Sequence, residues 1–129
     1  MVNREKLMSS VTKINYVELP TADLIASKRF FEQAFGWHFV DYGPGYSSFD
    51  NAGLAGGFFQ SDRVARCETG SALVVLYSDD LEATLARVES LGGSILQAIF
   101  SFPGGRRFHF ADPSGNEWAV WSDQGLVEE

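Results

Sequence analysis

Short apolar runs alternate along the chain with two amphipathic stretches, and the order repeats. Residues 14–20 read as a strand, followed by Thr21-Ala22-Asp23-Leu24. Residues 72–77 read as another, followed by Ser78-Asp79-Asp80-Leu81 at an offset of 57 residues. Asp23 and Asp80 are placed to cap helices, because a carboxylate there accepts the free N–H groups of a first turn. In the first helical pattern Leu24, Phe30, Phe31, Ala34 and Phe35 fall on one arc, with Arg29, Glu32 and Gln33 opposite. In the second, Leu81, Leu85, Val88 and Leu91 share a face, with Glu82, Glu89 and Ser90 outside. Gly36 ends the first helix and Gly92-Gly93 the second.

Three strand patterns follow each helix, at 37–41, 46–50 and 54–60, then at 94–99, 107–111 and 117–121. Gly43-Pro44-Gly45, Asn51-Ala52-Gly53, Pro103-Gly104-Gly105 and Asp112-Pro113-Ser114-Gly115-Asn116 supply the turns. The order is strand, helix, strand, strand, strand, twice over. This predicts a loose arm at 1–10, one domain at 11–123 and a tail at 124–129. Within the domain, modules at 12–60 and 71–122 are joined by a polar linker at 61–70.

A length of 129 residues, 45% of them hydrophobic, suits a single globular domain. Ten Lys and Arg against 17 Asp and Glu leave a net charge of −7, so the chain lacks the cationic field that binds nucleic acid or anionic lipid. The one cysteine, Cys67, excludes an internal disulfide. No stretch approaches the roughly 20 apolar residues of a membrane span. The first ten residues lack the apolar core of a secretion signal. The expected location is the cytoplasm.

The stretch from Asp23-Leu24 to Phe35-Gly36-Trp37 resembles the opening of the glyoxalase/bleomycin-resistance/dioxygenase proteins, the vicinal oxygen chelate superfamily. Gly56-Gly57-Phe58 and the ending Phe110-Ala111-Asp112-Pro113-Ser114-Gly115-Asn116 resemble the same family, which gives a likeness over residues 12–122. The wording from Val17 to Asp23 is most similar to a glyoxalase-like subgroup of largely unassigned activity. The resemblance implies an α+β fold of two βαβββ modules. Their strands curl into a cup-shaped mixed sheet with helices outside and a ligand in the cup, and many relatives are dimers. A homodimer is expected here, because a second copy can cover strand edges and broad apolar faces.

The resemblance further implies a divalent metal held by His, Gln or Glu at up to four equivalent positions. In this chain those positions carry Tyr16, Gly57, Leu73 and Ala119. They offer a phenol and three side chains with no donor, whereas such a metal needs carboxylate, imidazole or amide groups. Glu117 lies two residues from the expected glutamate position, on the same strand face. The expectation is therefore the family fold with no metal and no other cofactor.

Strand alternation and the family's hairpin position together put Tyr16, Glu18, Tyr77, Arg107, His109 and Trp121 in the cup, as a site for a small organic ligand. Glu18 and Arg107 are expected to face each other as an ion pair, with His109 beside them. His109 reads either as a hydrogen-bonded structural histidine or as a proton acceptor. The leading expectation is a metal-free binder of a drug or metabolite. The alternative is a lyase, isomerase or dioxygenase that uses Glu18 and His109 as acid–base groups or holds an off-pattern divalent metal with them. Trp37 is expected to pack, His38 to be exposed, and Cys67 to be no nucleophile.

Overall fold

The computed structural model describes residues 12–125, so the arm expected at 1–10 and most of the expected tail lie outside the described residues. The first module runs β1 (Tyr16–Thr21), α1 (Leu24–Phe35), β2 (His38–Asp41), β3 (Tyr46–Asp50) and β4 (Ala55–Gln60). The second runs β5 (Val74–Tyr77), α2 (Leu81–Ser90), β6 (Ser94–Phe102), β7 (Gly105–Ala111) and β8 (Glu117–Ser122). A single 3-10 turn, Cys67–Thr69, interrupts the linker. Each module forms a separate four-stranded sheet, ordered β1-β4-β3-β2 and β5-β8-β7-β6. Both sheets are mixed, with β1 parallel to β4 and β5 parallel to β8. Among the described residues no helix is long and apolar enough to cross a membrane.

The repeat read from the sequence is present atom by atom at the helix starts. Asp23 accepts from the Ala26 N–H at 3.0 Å, and Asp80 from the Ala83 N–H at 3.1 Å. Before each cap a hydroxyl on the strand end, Thr21 or Ser78, binds a hydroxyl in the helix, Ser27 or Thr84. Helix α1 ends at Gly36 in the left-handed conformation, φ 71°, as a glycine stop requires. Helix α2 closes one residue before its glycines, at Leu91. The main difference in extent is β6, which runs to Phe102 rather than residue 99, with register shifts between Ile95 and Phe100. These irregularities take up extra residues, so the two β-hairpin turns that end at β4 and β8 stand 62 residues apart, not 57.

One aromatic core joins the modules. Phe31 of α1 stacks on Trp37 at 4.6 Å and on Phe58 of β4 at 5.4 Å, and meets Trp118 of β8 at 4.8 Å. Phe30 reaches Phe110 of β7 at 6.0 Å. The helix-facing sides of both sheets therefore line the same core, and by strand alternation their other sides look outward. Trp37 is buried and His38 is exposed, as expected.

The β7–β8 hairpin fastens the halves from outside that core. The buried Asp112 carboxylate accepts the N–H groups of Ser114 and Asn116 and the indole N–H of Trp118. Asn116, thus fixed, donates to the Pro20 carbonyl at 2.6 Å and accepts the Ala65 N–H at 2.8 Å. Ser114 hydrogen-bonds to Thr21. The equivalent hairpin of the first module, at Asn51-Ala52-Gly53, makes no such joint. It borders a crevice of about 800 Å³ with Trp37, Ser78, Asp79 and Arg87. Trp118 is fully buried and ties core to hairpin. Trp118→Ala should cost about 3–5 kcal/mol, as measured by the urea midpoint. Ala52→Ser, at a half-buried position on the edge of the core, should move that midpoint much less.

Candidate functional site

The outer face of the first sheet is built around Gly57. Glu18 of β1 and Ser48 of β3 are the register neighbours of Gly57 on either side. The hydroxyls of Tyr16 and Tyr46 meet in a hydrogen bond, and Tyr46 donates to Glu18 Oε1 at 3.1 Å. A Cβ on Gly57 would run into both phenol oxygens, so the glycine is the space that the two tyrosines fill. Burial, then the neighbouring Tyr16 and Glu18, push the Tyr46 phenol well above its ordinary range. It stays a neutral hydrogen-bond donor.

The outer face of the second sheet is built around Ala119. His109 lies directly across from it on β7, and Trp121 lies across from Arg107. His109 and Glu117 are both buried, with Nδ1 at 2.8 Å from Glu117 Oε2. The other carboxylate oxygen, Oε1, accepts the Cys67 N–H at 3.0 Å. Burial works against a charge on Glu117, but the bonds from His109 and Cys67 outweigh it and hold the carboxyl below its ordinary 4.5. An anionic Glu117 places the imidazole proton on Nδ1, which leaves Nε2 as an acceptor. Nε2 is buried with no partner. Phe100 lies tilted over the imidazole at 5.9 Å. Tyr77 packs edge-on to Trp121 at 5.1 Å and donates to Asp123 at 2.5 Å. The Cys67 thiol is pushed up by burial and then by the Glu117 charge, which makes it a poor nucleophile.

The six residues expected to share one cup thus fall into two sets. Tyr16 and Glu18 stand on the first sheet; Tyr77, Arg107, His109 and Trp121 stand on the second. The expected ion pair between Glu18 and Arg107 is corrected. Glu18 is exposed and bound by Tyr46, and the Arg107 guanidinium lies over the rings of Phe100 and Phe102 at 5.2 and 5.7 Å. The physical reason is that the two sheets turn their outer faces apart, so one chain does not appose them. Sequence reading missed Tyr46 and Phe100. It also missed that Glu117 partners His109, although alternation puts both on one face as diagonal neighbours across the β7–β8 ladder.

The family model for the glyoxalase/bleomycin resistance protein/dioxygenase superfamily matches residues 13–120. The chain belongs to that superfamily. An anthracycline biosynthesis protein, DnrV, of Streptomyces peucetius is 31% identical over 131 residues, which is 88% of this chain and 47% of DnrV. The chain therefore spans about half the length of the curated relatives it matches. A glyoxalase-related enzyme from Fulvimarina pelagi superposes with a TM-score of 0.72 at 22% identity, covering 87% of this chain and 88% of that one. The fosfomycin resistance protein FosX from Listeria monocytogenes gives a TM-score of 0.69 at 17% identity, covering 91% and 96%.

The positions where the superfamily resemblance implies metal ligands carry Tyr16, Gly57, Leu73 and Ala119. Register confirms that Gly57 and Ala119 are equivalent, since each pairs with the same position of β1 or β5, Glu18 or Val75. Neither carries a donor atom, and the phenol of Tyr16 is engaged with Tyr46. No group of three or more His, Cys, Asp or Glu able to hold a metal ion occurs among the described residues. The residues at the superfamily's metal positions do not fit the ion.

A carboxyl held below its unfolded value stabilises the fold above about pH 4.5 and ceases to do so as the pH falls through its folded value. Glu117→Gln should therefore flatten the acid limb of a melting-temperature profile. It should cost about 1 kcal/mol at neutral pH, because the one amide oxygen can keep the bond from Nδ1 while that from the Cys67 N–H is lost. Glu117→Ala removes both bonds and should cost about 3 kcal/mol. Identical acid limbs in wild type and Glu117→Gln would contradict the pairing.

Proposed function

We propose that this superfamily member is a metal-independent binder of a small organic molecule, drug or metabolite, in the cytoplasm. The ligand sits on the outer face of the second sheet, against Arg107, His109, Tyr77 and Trp121. The observation that carries this reading is the buried, unpartnered Nε2 of His109 within an aromatic wall. An acceptor held this way costs stability unless something donates to it. The absence of carboxylate, imidazole or amide groups at Tyr16, Gly57, Leu73 and Ala119 supports a role in binding rather than metal-activated chemistry. The relatives named above include an anthracycline biosynthesis protein and a fosfomycin resistance protein, both compatible with a small-molecule ligand.

The reading extends to a homodimer. Tyr16 and Val40 on one outer face are each 41% exposed, and Val75 and Tyr77 on the other are 43% and 48% exposed. A second copy that lays its first sheet over this chain's second would cover both sets and bring Tyr16, Glu18 and Tyr46 opposite Arg107 and His109. One observation favours a second reading, a lyase, isomerase or dioxygenase of the superfamily type. In the His109–Glu117 pair the carboxylate fixes the imidazole so that Nε2 can accept a proton.

A thermal-shift screen with a panel of small aromatic and heterocyclic compounds tests the binding role. A ligand at 100 times its Kd adds about 2.7 kcal/mol, and its shift should survive a chelator and vanish in Trp121→Ala. A shift that the chelator abolishes would overturn the metal-independent reading. Light scattering at micromolar concentration should give twice the 14.2 kDa chain mass; a monomer would remove the second copy from the site.

A further inference from the structure

Two adjacent arginines on β7 are treated in opposite ways. Arg106 is neutralised by Glu82 of α2, which takes both of its terminal nitrogens. Arg107, on the outer face, has no carboxylate within ion-pair distance among the described residues. The carboxylate on that face of β8, Glu117, lies four residues along the ladder from Arg107 and already has both oxygens bound, one by His109 and one by the Cys67 N–H. Phe100 and Phe102 lie with their ring faces against the guanidinium of the half-buried Arg107. Its Nε is buried without a partner. In a chain of net charge −7 this is a local cation the protein has left unanswered. A partly desolvated guanidinium of this kind is completed by a planar oxyanion, which it can bind through two parallel N–H donors.

His109 stands two residues along the same strand, on the same face, about 6.7 Å away by strand rise. It offers the complementary feature, a buried lone pair at Nε2 that needs an O–H or N–H donor. Trp121, across the ladder from Arg107, and Tyr77 beside it supply flat walls suited to a ring. A ligand that meets both groups carries its acid and its hydroxyl at separate positions of one ring. Resting on the reading of this face as a ligand site, we propose that the ligand is an aromatic hydroxy acid. Its carboxylate is received by Arg107 and its hydroxyl donates to Nε2 of His109.

The probes are 4-hydroxybenzoate, benzoate, phenol and benzylamine, titrated calorimetrically into the 129-residue chain. The order expected is 4-hydroxybenzoate, then benzoate, then phenol, with about tenfold between the first and last and no binding of benzylamine. Arg107→Met should remove the advantage of both acids while leaving phenol unchanged. Raising the salt should weaken the acids alone. Arg107→Lys, which keeps the charge but not the fork, should recover part of the acid affinity and covers the case in which Arg107→Met folds poorly. The chain has only two histidines, so the imidazole 15N signals can be assigned with His38→Gln. The His109 Nε2 signal should shift with 4-hydroxybenzoate and not with benzoate.

Acids that bind no better than phenol, or an Arg107→Met variant that keeps their affinity, would overturn the inference while leaving the binding face intact. Failure of every probe, of whatever charge, to bind or to move the His109 signal would overturn both.

Discussion

The buried carboxylate of Asp112 holds the two halves of this protein in register. Its two oxygens accept two backbone N–H groups and an indole N–H, so one side chain shapes the β7–β8 turn and aims Trp118 at once. Burial drives its carboxyl above the ordinary range even though three donors favour the charge. Trp118 then meets Phe31 in the core, and Asn116, set by the same turn, grips Pro20 and Ala65 outside it. The packing of one module on the other, the path of the linker and the placement of Glu117 follow from that turn. The next residue after Asn116 is the carboxylate that orients His109.

The two outer faces show how one scaffold can hold different chemistry at equivalent positions. Each is centred on a residue too small to act, Gly57 or Ala119. On the first sheet that space is filled by tyrosine hydroxyls, which form a closed hydrogen-bonded network with Glu18. On the second it lies beside an imidazole fixed at one nitrogen and free at the other, and a guanidinium held only by rings. Satisfied groups stabilise; unsatisfied buried ones are costly and mark where a partner belongs.

Much of the fold was legible in the chain. The Asp23 and Asp80 caps, the apolar arcs of both helices and the glycine-bearing turns are local signals, and local signals decide local structure. The strand ends were less so, because pairing sets them. Residues 14 and 72 read as strand but have no ladder partner there, and β6 outran its apolar run because β7 was long enough to pair with it. Alternation put Tyr77, Arg107, His109 and Trp121 on one face, and the ladder of the second sheet pairs them so. It failed for Glu18 against Arg107, because the direction in which two sheets face is a property of how helices pack between them. Phe31, which touches both sheets, carries that information, and nothing in its spacing distinguishes it from a helix residue that touches one.

The two hairpin turns, of four and five residues, carry glycines of nearly equal φ, 93° at Gly53 and 95° at Gly115, yet only the second bears a joint. A change at Ser114 or Asn116 therefore breaks hydrogen bonds between the halves, while a change at Asn51 breaks one within the first. Repetition gave the chain two copies of a turn, and cohesion needs only one. The other copy is where this lineage can alter a surface without first undoing its own assembly.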